Sequence, residues 1–479
     1  MAEKLPVRDV VVLLPGILGS VLERDGKEVW ALSPGAVLRG LLSLGGNVAA
    51  LELPRDDPEA PDLGDGVVAT RLMPDVHLLP GFWKIDGYSK IRRLLFQRFA
   101  LQDGVNWFDF PYDWRRDNRA AAHRLAEQAP KWLAEWRDRS GAQDAKLILL
   151  AHSMGGLVAR YFLEELDGWR DTRALVTFGT PYRGSLNALD MLANGFVKGV
   201  GPFKADLSGL LRSLTSVHQL LPVYPCVDDG SGAPRRILEA AGLPPTVDAD
   251  RVRAAAGFHA GIAAAVDRNG GYGRYDIHPV VGIFQRTGQS AVVRDSGLVV
   301  LDHDGATDDG GDGTVPRVSA TPLELSDDPR EVYATESHAS LQNLDSVLVQ
   351  VMGLVTRKPL GAYRGSPFDG FRLEVDDLLP PGEPVAVAAA TEGPALRVTF
   401  AMQDVDTGRR VEVMADLDAE GRATALLPPA EPGVYRVSVS DPDNVGLKPV
   451  TDLVMVADDP AAERIAEQAQ DSADRRPAG

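Results

Sequence analysis

Apolar and polar positions in the first three quarters of the chain follow two alternating patterns. Short unbroken apolar runs, typical of strands buried on both faces of a parallel sheet, are separated by segments with apolar residues at helical spacing. Strands separated by helices predict a parallel sheet wrapped by helices. The predicted strands are 10–14, 105–110, 147–150, 174–178, 277–284 and 331–335, and the helices include 88–101, 118–139 and 341–355.

Two segments interrupt this alternation. Residues 30–80 hold an apolar piece, 37–53, followed by an acidic, proline-rich piece, and such long irregular segments are typical of lids or binding loops. A helix packed on the core explains the apolar piece equally well. Residues 186–271 lose the strand pattern and contain proline-broken helical pieces at 196–200, 207–221 and 252–266, which predicts a helical cap over the site.

Beyond residue 356 the pattern changes. Residues 357–370 resemble a linker, and short alternating strands separated by turn signals follow. They predict an immunoglobulin-like β-sandwich over 371–457, after an α/β domain over 1–356. The tail, 458–479, is rich in Ala, Glu, Asp and Arg and is predicted to be disordered. The predicted sandwich strands include 396–402, 410–414, 423–427, 434–440 and 453–456.

Composition narrows the class of protein. The 479 residues carry a formal net charge of −18, which argues against nucleic-acid binding because that function needs a basic face. Cys226 is the single cysteine, which fits a reducing compartment. Asp9 and Pro15–Gly16 interrupt what would be a secretory signal, and no stretch is long and apolar enough to span a membrane. These features predict a cytoplasmic location.

The candidate chemistry begins at the end of the third predicted strand. There the sequence Ala151–His152–Ser153–Met154–Gly155 places a serine between small residues, at a strand-to-helix turn. Such a turn holds the hydroxyl of a nucleophilic serine above the sheet edge, and small neighbours let strand and helix cross closely. Ala151 stands where glycine is more usual. The alternative is a helix N-cap serine in an ordinary turn.

A serine nucleophile needs a base and an acid, which in this arrangement follow in the order serine, acid, histidine. His338 directly follows the last predicted strand and opens the closing helix, where the base is expected. The other histidines after Ser153 fit less well, since His278 lies within a strand pattern and His303 in an acidic loop. The full set is His218, His259, His278, His303 and His338.

The acid is expected in the acidic, glycine-rich loop 302–313. Asp312 lies between Gly311 and Gly313, which allow the backbone to turn its carboxylate inward, so we favour it. Calcium binding is the alternative for such a loop, although it lacks a recognisable ligand register. The candidate acids are Asp302, Asp304, Asp308, Asp309 and Asp312.

The glycine-rich loop Pro15–Ser20 follows the first strand, where the second donor of an oxyanion hole usually lies. We therefore expect the backbone N–H groups of Ile17 and Met154 to stabilise an oxyanion. A plain turn is the alternative for the loop.

With these residues placed, the chain resembles the lecithin:cholesterol acyltransferase family of lipid α/β-hydrolases, which includes enzymes of the lysosomal phospholipase A2 type. The likeness covers roughly 7–356. It implies an α/β-hydrolase fold with lid and cap insertions, a triad of Ser153, Asp312 and His338, and an oxyanion hole of Ile17 and Met154. The motifs that carry it are Val12–Ser20, Phe110–Arg116, Ala151–Gly155 and Gly311–Pro316.

The predicted function is therefore a serine-dependent lipid acyl hydrolase or O-acyltransferase that works through an acyl-enzyme on Ser153. A triacylglycerol lipase, a general carboxylesterase and a catalytically inactive binding protein are the alternatives. No cofactor or metal is expected. The predicted partners are a lipid or ester substrate and a transient contact with a membrane or lipid surface, without nucleic acid. In the Phe110–Arg116 motif, an ion pair of Asp113 with Arg115 or Arg116 is expected to be structural.

Overall fold

The computed structural model describes most of the chain. The described residues are 4–30, 51–53, 55–73, 77–79, 83–85, 87–200, 203–271, 273–294, 297–305, 307–325, 332–356, 370–441 and 447–457. Most of the apolar piece 37–53, nearly all of the predicted linker and the predicted tail lie outside the described residues.

Strands and helices occupy most of the described part of the chain. The strands of the α/β part are β1 (Val10–Leu14), β2 (Ser20–Arg24), β3 (Lys27–Trp30), β4 (Val67–Leu72), β5 (His77–Leu79), β6 (Trp83–Ile85), β7 (Trp107–Asp109), β8 (Leu147–His152), β9 (Thr172–Phe178), β10 (Val197–Val200), β11 (Phe203–Asp206), β12 (Val227–Asp228), β13 (Asp276–Gly282), β14 (Ser290–Arg294), β15 (Gly297–Leu301) and β16 (Val332–Ala334). The helices are α1 (Ser89–Arg98), α2 (Asn118–Ser140), α3 (Gly155–Glu164), α4 (Leu186–Asn194), α5 (Ser208–Ser213), α6 (Thr215–His218), α7 (Ala249–Arg268) and α8 (Asp345–Val355).

The central sheet has six strands in the order β16-β13-β9-β8-β1-β7. Every neighbouring pair in it is parallel. All residues of β1 and β8 are buried, as their continuous apolar sequences predict for strands covered on both faces. The predicted α/β-hydrolase fold is confirmed, since the sheet is parallel, helices connect its strands, and Ser153 follows β8 at a strand-to-helix turn.

The insertions differ in part from the prediction. In the segment 196–200, predicted to be helical, residues 197–200 instead form β10, which pairs with β11 in an antiparallel hairpin. The cap is therefore not purely helical. Within 30–80, β4 pairs antiparallel with β2, so part of the predicted lid region extends a small sheet beside the core. Residues 341–343, predicted to start the closing helix, form a separate 3-10 turn before α8.

The C-terminal part is a two-sheet antiparallel domain, which confirms the all-β prediction. One sheet has the order β17-β19-β22 and the other β18-β24-β23-β20-β21, and the only parallel pair among them is β18 with β24. Side chains of both sheets share one apolar core that includes Phe371, Val387 and Phe400. The strands are β17 (Arg372–Val375), β18 (Leu378–Leu379), β19 (Val385–Ala390), β20 (Arg397–Asp404), β21 (Arg410–Asp416), β22 (Arg422–Leu427), β23 (Gly433–Ser440) and β24 (Val450–Val456).

In the described part of the chain, no helix is both long and apolar enough to cross a membrane.

The Phe110–Arg116 motif binds residues 57–65 to the hydrolase core. The fully buried Arg115 guanidinium binds Asp113 through two nitrogens, at 2.9 and 2.7 Å, and binds Asp65 at 2.8 Å. Arg116 donates to the carbonyl oxygens of Asp57 and Ala60, both at 2.7 Å. The expected Asp113–Arg115 ion pair is present, and with Arg116 it fixes residues 57–65 against the hydrolase core.

Replacing Arg115 tests this anchoring. In Arg115→Ala, the carboxylates of Asp113 and Asp65 lose their cation in a poorly solvated site, and we expect the free energy of unfolding to fall by roughly 3 kcal/mol. The matched control is Arg397→Ala, because the Arg397–Asp416 pair is mostly exposed and its loss should cost less than about 1 kcal/mol. Denaturant unfolding followed by tryptophan fluorescence measures both. Equal shifts for the two variants would contradict the anchoring role.

Candidate active site

The carboxyl ends of the central strands meet at one edge of the sheet, where open α/β sheets bind their ligands. Strand β1 leads there into the loop 15–20, and β8 leads into Ser153. Strand β9 ends at Phe178, and its carbonyl oxygen accepts the N–H of Ser153 at 2.9 Å. His338 follows the end of β16 after the short segment 335–337. The sequence-predicted site residues therefore come from different strand ends of one sheet edge.

Ser153 lies on a sharp turn between β8 and α3. Its φ angle is 53°, in the left-handed region that non-glycine residues seldom adopt. A Cβ atom on Gly155 would lie 2.4 Å from the Pro15 carbonyl oxygen, so only glycine permits the helix to pass this close to the loop 15–20. The hydroxyl oxygen of Ser153 is buried and makes no hydrogen bond to another described residue. This strained geometry differs from that of an ordinary helix cap and is the turn geometry expected where a serine serves as nucleophile.

Asp312 and His338 form a buried pair. Asp312 Oδ2 lies 2.7 Å from Nδ1 of His338, and Oδ1 accepts the backbone N–H groups of Thr314 and Val315 at 2.9 and 2.7 Å. The His338 backbone N–H donates to the Asp312 carbonyl oxygen at 2.7 Å. Because the carboxylate can only accept, Nδ1 of His338 carries the proton and Nε2 is left with its lone pair.

The Asp312–His338 pair lies next to the end of β9. Gly179 follows Phe178, which accepts the hydrogen bond of Ser153. A Cβ atom on Gly179 would be 2.6 Å from Asp312 Oδ2 and 2.9 Å from His338 Nδ1. The rings of His152 and His338 are 5.1 Å apart between centroids. The structure thus brings Asp312 and His338 into contact, beside the end of β9 whose last residue bonds to the Ser153 N–H.

The loop 15–20 lies against Ser153. A Cβ atom on Gly16 would be 3.0 Å from Cβ of Ser153. Ile17 and Met154 are both fully buried, and neither backbone N–H donates to another residue in the described ranges. Two amide donors beside the serine suit a developing oxyanion.

Tyr88 and His152 join the three parts of the site. Neither is predicted from the sequence as a site residue. His152 Nε2 donates to the His338 carbonyl oxygen at 3.1 Å, which leaves Nδ1 to accept the Tyr88 hydroxyl at 3.2 Å. The Tyr88 oxygen in turn accepts the Gly16 N–H at 2.9 Å. Burial is the larger cause that lowers the pKa of His152 to about 3, and repulsion by His338 when that ring is protonated adds to it, so the His152 imidazole remains neutral.

Tyr112 and Trp114 hold the loop 15–20 from its other side. The Tyr112 hydroxyl donates to the Pro15 carbonyl oxygen at 2.8 Å, and the Trp114 indole donates to the Ser20 carbonyl oxygen at 3.1 Å. The Ser20 hydroxyl accepts the Tyr112 N–H at 3.0 Å. From the sequence, the Phe110–Arg116 motif predicts a structural ion pair and supports the family resemblance, but it does not predict these aromatic hydrogen bonds. The signal that could have found the role is the pair of aromatic residues with polar tips, because such tips bind a polar partner when buried.

The other candidate acids and bases lie elsewhere. Asp302 binds Arg286 and Asp308 binds Arg372, so these carboxylates have cationic partners. His218 and His259 bind main-chain carbonyl oxygens, and burial lowers both of their pKa values. Within the described ranges, no group of three or more His, Cys, Asp or Glu side chains could hold a metal ion. The calcium alternative for the loop 302–313 therefore lacks a ligand set among these residues.

Comparison with known proteins gives a family for part of the chain. Residues 88–233 match the family model described as lecithin:cholesterol acyltransferase. This match contains Ser153 but neither Asp312 nor His338. The human lysosomal phospholipase A and acyltransferase is 34% identical over 119 residues, which cover 23% of this chain and 27% of that protein. The mouse phosphatidylcholine-sterol acyltransferase is 30% identical over 93 residues, covering 19% and 20%.

The matched regions therefore span only 27% and 20% of the lengths of these two curated relatives. Among solved structures, the Tle4–Tli4 complex contains a similar chain, with a TM-score of 0.49 and 15% identity, covering 74% of this chain and 99% of that one. A Bacillus licheniformis lipase, BlEst2 with its propeptide, gives a TM-score of 0.35 at 11% identity and covers 96% of both chains. Because both TM-scores are low, the assignment of the fold rests on the strand order described above.

The predicted cytoplasmic location is wrong by this comparison. The human and rat relatives at 34% identity are both named as lysosomal proteins. The prediction depended on a single cysteine and on the lack of a signal pattern, and neither feature fixes a compartment.

The family model and the curated relatives point to the same family, and the range matched by the model includes the Ser153 turn. Through residues 88–233 the chain is similar to the lecithin:cholesterol acyltransferase family, and its strand order is that of an α/β-hydrolase.

Proposed function

We propose that the protein is a serine-dependent lipid acyl hydrolase or O-acyltransferase that acts on ester bonds of phospholipids or related lipids. The observation that carries the proposal is the buried Asp312–His338 hydrogen bond of 2.7 Å beside the strained turn of Ser153. Relatives named as a phospholipase and acyltransferase, and as a phosphatidylcholine-sterol acyltransferase, support the choice of lipid esters.

In the first half-reaction, Ser153 Oγ attacks the ester carbonyl carbon and its proton passes to Nε2 of His338. The backbone N–H groups of Ile17 and Met154 stabilise the oxyanion, and one such donor is typically worth roughly 3 to 4 kcal/mol. The bond from the carbonyl carbon to the alcohol oxygen then breaks, and Nε2 returns the proton to that oxygen. The product is an acyl-enzyme on Ser153 and a free alcohol.

In the second half-reaction, water or a second alcohol attacks the acyl-enzyme while Nε2 of His338 accepts its proton. The ester bond to Ser153 breaks and the serine oxygen regains a proton. Hydrolysis and acyl transfer therefore share every residue of the site and differ only in the acceptor that reaches it. Asp312 keeps the proton on Nδ1 throughout, so that Nε2 remains the base.

Covalent labelling tests the nucleophile. We expect a fluorophosphonate probe to label the wild-type protein at Ser153, because the hydroxyl is deprotonated by His338 as it attacks. Ser153→Ala should abolish labelling, whereas Ser140→Ala, at the exposed end of α2, should leave it unchanged. Mass spectrometry of the labelled peptide identifies the site. An unlabelled wild-type protein would favour an inactive, binding role instead.

Substitution of the acid tests the choice of Asp312. Asp312→Asn permits the wrong tautomer of His338, so kcat should fall by about 10³- to 10⁴-fold. Asp304→Asn and Asp309→Asn are matched controls from the same loop, and both side chains are exposed. They should change kcat by less than about threefold. A strong loss in Asp304→Asn with a mild one in Asp312→Asn would show that the acid lies elsewhere.

Acyl release from mixed phospholipid vesicles, measured with and without an added long-chain alcohol, tests the substrate class. We expect fatty acid from vesicles alone and an alkyl ester when the alcohol is present, because both acceptors use one acyl-enzyme. The same acyl-release assay is run in parallel on triacylglycerol emulsions and on p-nitrophenyl esters. Turnover of those two substrates without any release from phospholipid would favour a triacylglycerol lipase or a general esterase.

A further inference from the structure

The C-terminal β-sandwich contacts the segment that carries His338. Glu336 Oε1 accepts the backbone N–H of Thr451, in β24, at 3.0 Å, and also the N–H of Ser337 at 2.9 Å. The Ser337 hydroxyl donates to the Thr451 carbonyl oxygen at 2.7 Å. Glu336 and Ser337 are only 5% and 8% exposed. The two residues that precede His338 are therefore bonded to the accessory domain.

Gln285 links the same domain to both halves of the Asp312–His338 pair. Its side-chain amide donates to the carbonyl oxygens of Thr335 and Phe371, at 3.1 and 3.0 Å, and accepts the Leu373 N–H at 3.3 Å. Its backbone N–H donates to the carbonyl oxygen of Gly311, which precedes Asp312, at 3.0 Å. The acid loop, the base segment and the sandwich thus all bond to one residue, Gln285, through its backbone N–H and its side-chain amide, and this residue is 5% exposed.

Further contacts surround this junction. A Cβ atom on Gly370 would lie 2.0 Å from the Thr335 hydroxyl oxygen, so the start of the sandwich packs directly on the end of β16. Arg372 donates to the Phe284 carbonyl oxygen at 2.8 Å and pairs with Asp308 at 3.2 Å. These bonds join the sandwich to the strand end and loop that lead to Asp312.

The base segment depends on such external bonds. Residues 335–337 belong to no helix or strand, and 338–340 form a turn, so regular secondary structure does not fix the His338 ring. A catalytic side chain placed by a loop keeps its geometry only if neighbouring bonds hold that loop. Displacing a reacting group by about 1 Å can cost about 100-fold in rate.

We propose that the β-sandwich positions the catalytic base, with Glu336, Ser337 and Gln285 as positioning residues that hold the His338 segment and the Asp312 loop in register. This rests on the proposed function, in which His338 and Asp312 act on Ser153. None of the three residues is assigned contact with substrate. The sandwich is then a structural part of the active site.

Point substitutions in the full-length protein test the proposal, with kcat and KM measured on a soluble p-nitrophenyl ester. In Glu336→Ala the Thr451 and Ser337 N–H groups lose their acceptor, so kcat should fall about 10- to 100-fold while KM changes less than about twofold. Gln285→Ala should behave alike. Glu336→Gln keeps an acceptor oxygen and should recover most of the lost kcat. Fluorophosphonate labelling rates should follow kcat.

Two controls separate positioning from general destabilisation. Thr451→Ala keeps the backbone N–H and carbonyl groups that make the bonds, so kcat should stay within about twofold of wild type. Glu412→Ala changes an exposed carboxylate of the same domain and should also be neutral. Thermal unfolding of every variant ensures that rates are compared below the transition.

Unchanged kcat in folded Glu336→Ala and Gln285→Ala, or an effect confined to KM, would overturn the proposal. If Glu336→Ala does not fold, the smaller change Ser337→Ala decides, with an expected loss of about threefold to tenfold in kcat. The two proposals fail differently. A wild-type protein without labelling or turnover rejects the hydrolase itself, whereas an active wild type with fully active variants rejects only the positioning role.

Discussion

The buried hydrogen bond between Asp312 and His338 is the interaction on which the rest of the site depends. A carboxylate without solvent is costly unless its oxygens are bonded, and here one oxygen accepts two backbone N–H groups while the other accepts the imidazole. That arrangement fixes the turn after Asp312. It also requires the histidine segment to lie beside the acid loop, a position reinforced by the backbone bond from His338 to Asp312. Burial thus requires the acid and the base to keep this geometry.

The loop 15–20, on the other side of the site, is held by neutral polar side chains. Tyr88, Tyr112 and Trp114 each bond to the main chain of the loop 15–20. His152 completes the connection, because its two nitrogens face Tyr88 and the His338 carbonyl oxygen. Each bond uses a donor or acceptor that would otherwise be buried without a partner. A loop with glycines at two positions is thereby kept in one conformation by rigid aromatic side chains.

The sequence predicted the elements that local pattern determines. Continuous apolar runs identified β1, β8 and β9, and the small residues around Ser153 identified the turn, because close crossing of strand and helix restricts side-chain size at those positions. Chain order and glycine flanks selected His338 and Asp312 for the site, and the structure brings these two side chains into contact. The predicted roles of Ser153, Ile17 and Met154 remain predictions for the experiments above.

What the sequence did not predict depends on contacts distant in the chain. The segment 196–200, which contains β10, is predicted as helix because its four apolar or small residues show no clear strand period. Strands β17 and β19 were missed because Ala-rich and charged sequences have low strand propensity, and pairing with neighbours determines them. Tyr88 and Gln285 act through partners many residues away, so no local spacing marks them. Neither the single cysteine nor the lack of a signal pattern determines the cellular location.

The contacts of Gln285 and Glu336 also bear on how such a protein can change over evolution. Accessory β-sandwiches are often regarded as exchangeable modules, but here the incoming module would have to present carbonyl oxygens and N–H groups at the positions of Phe371, Leu373 and Thr451. A foreign sandwich lacking them would leave buried polar side chains unsatisfied. Recombination at this boundary is therefore constrained, and the two parts of the chain are expected to have diverged together as one inherited unit.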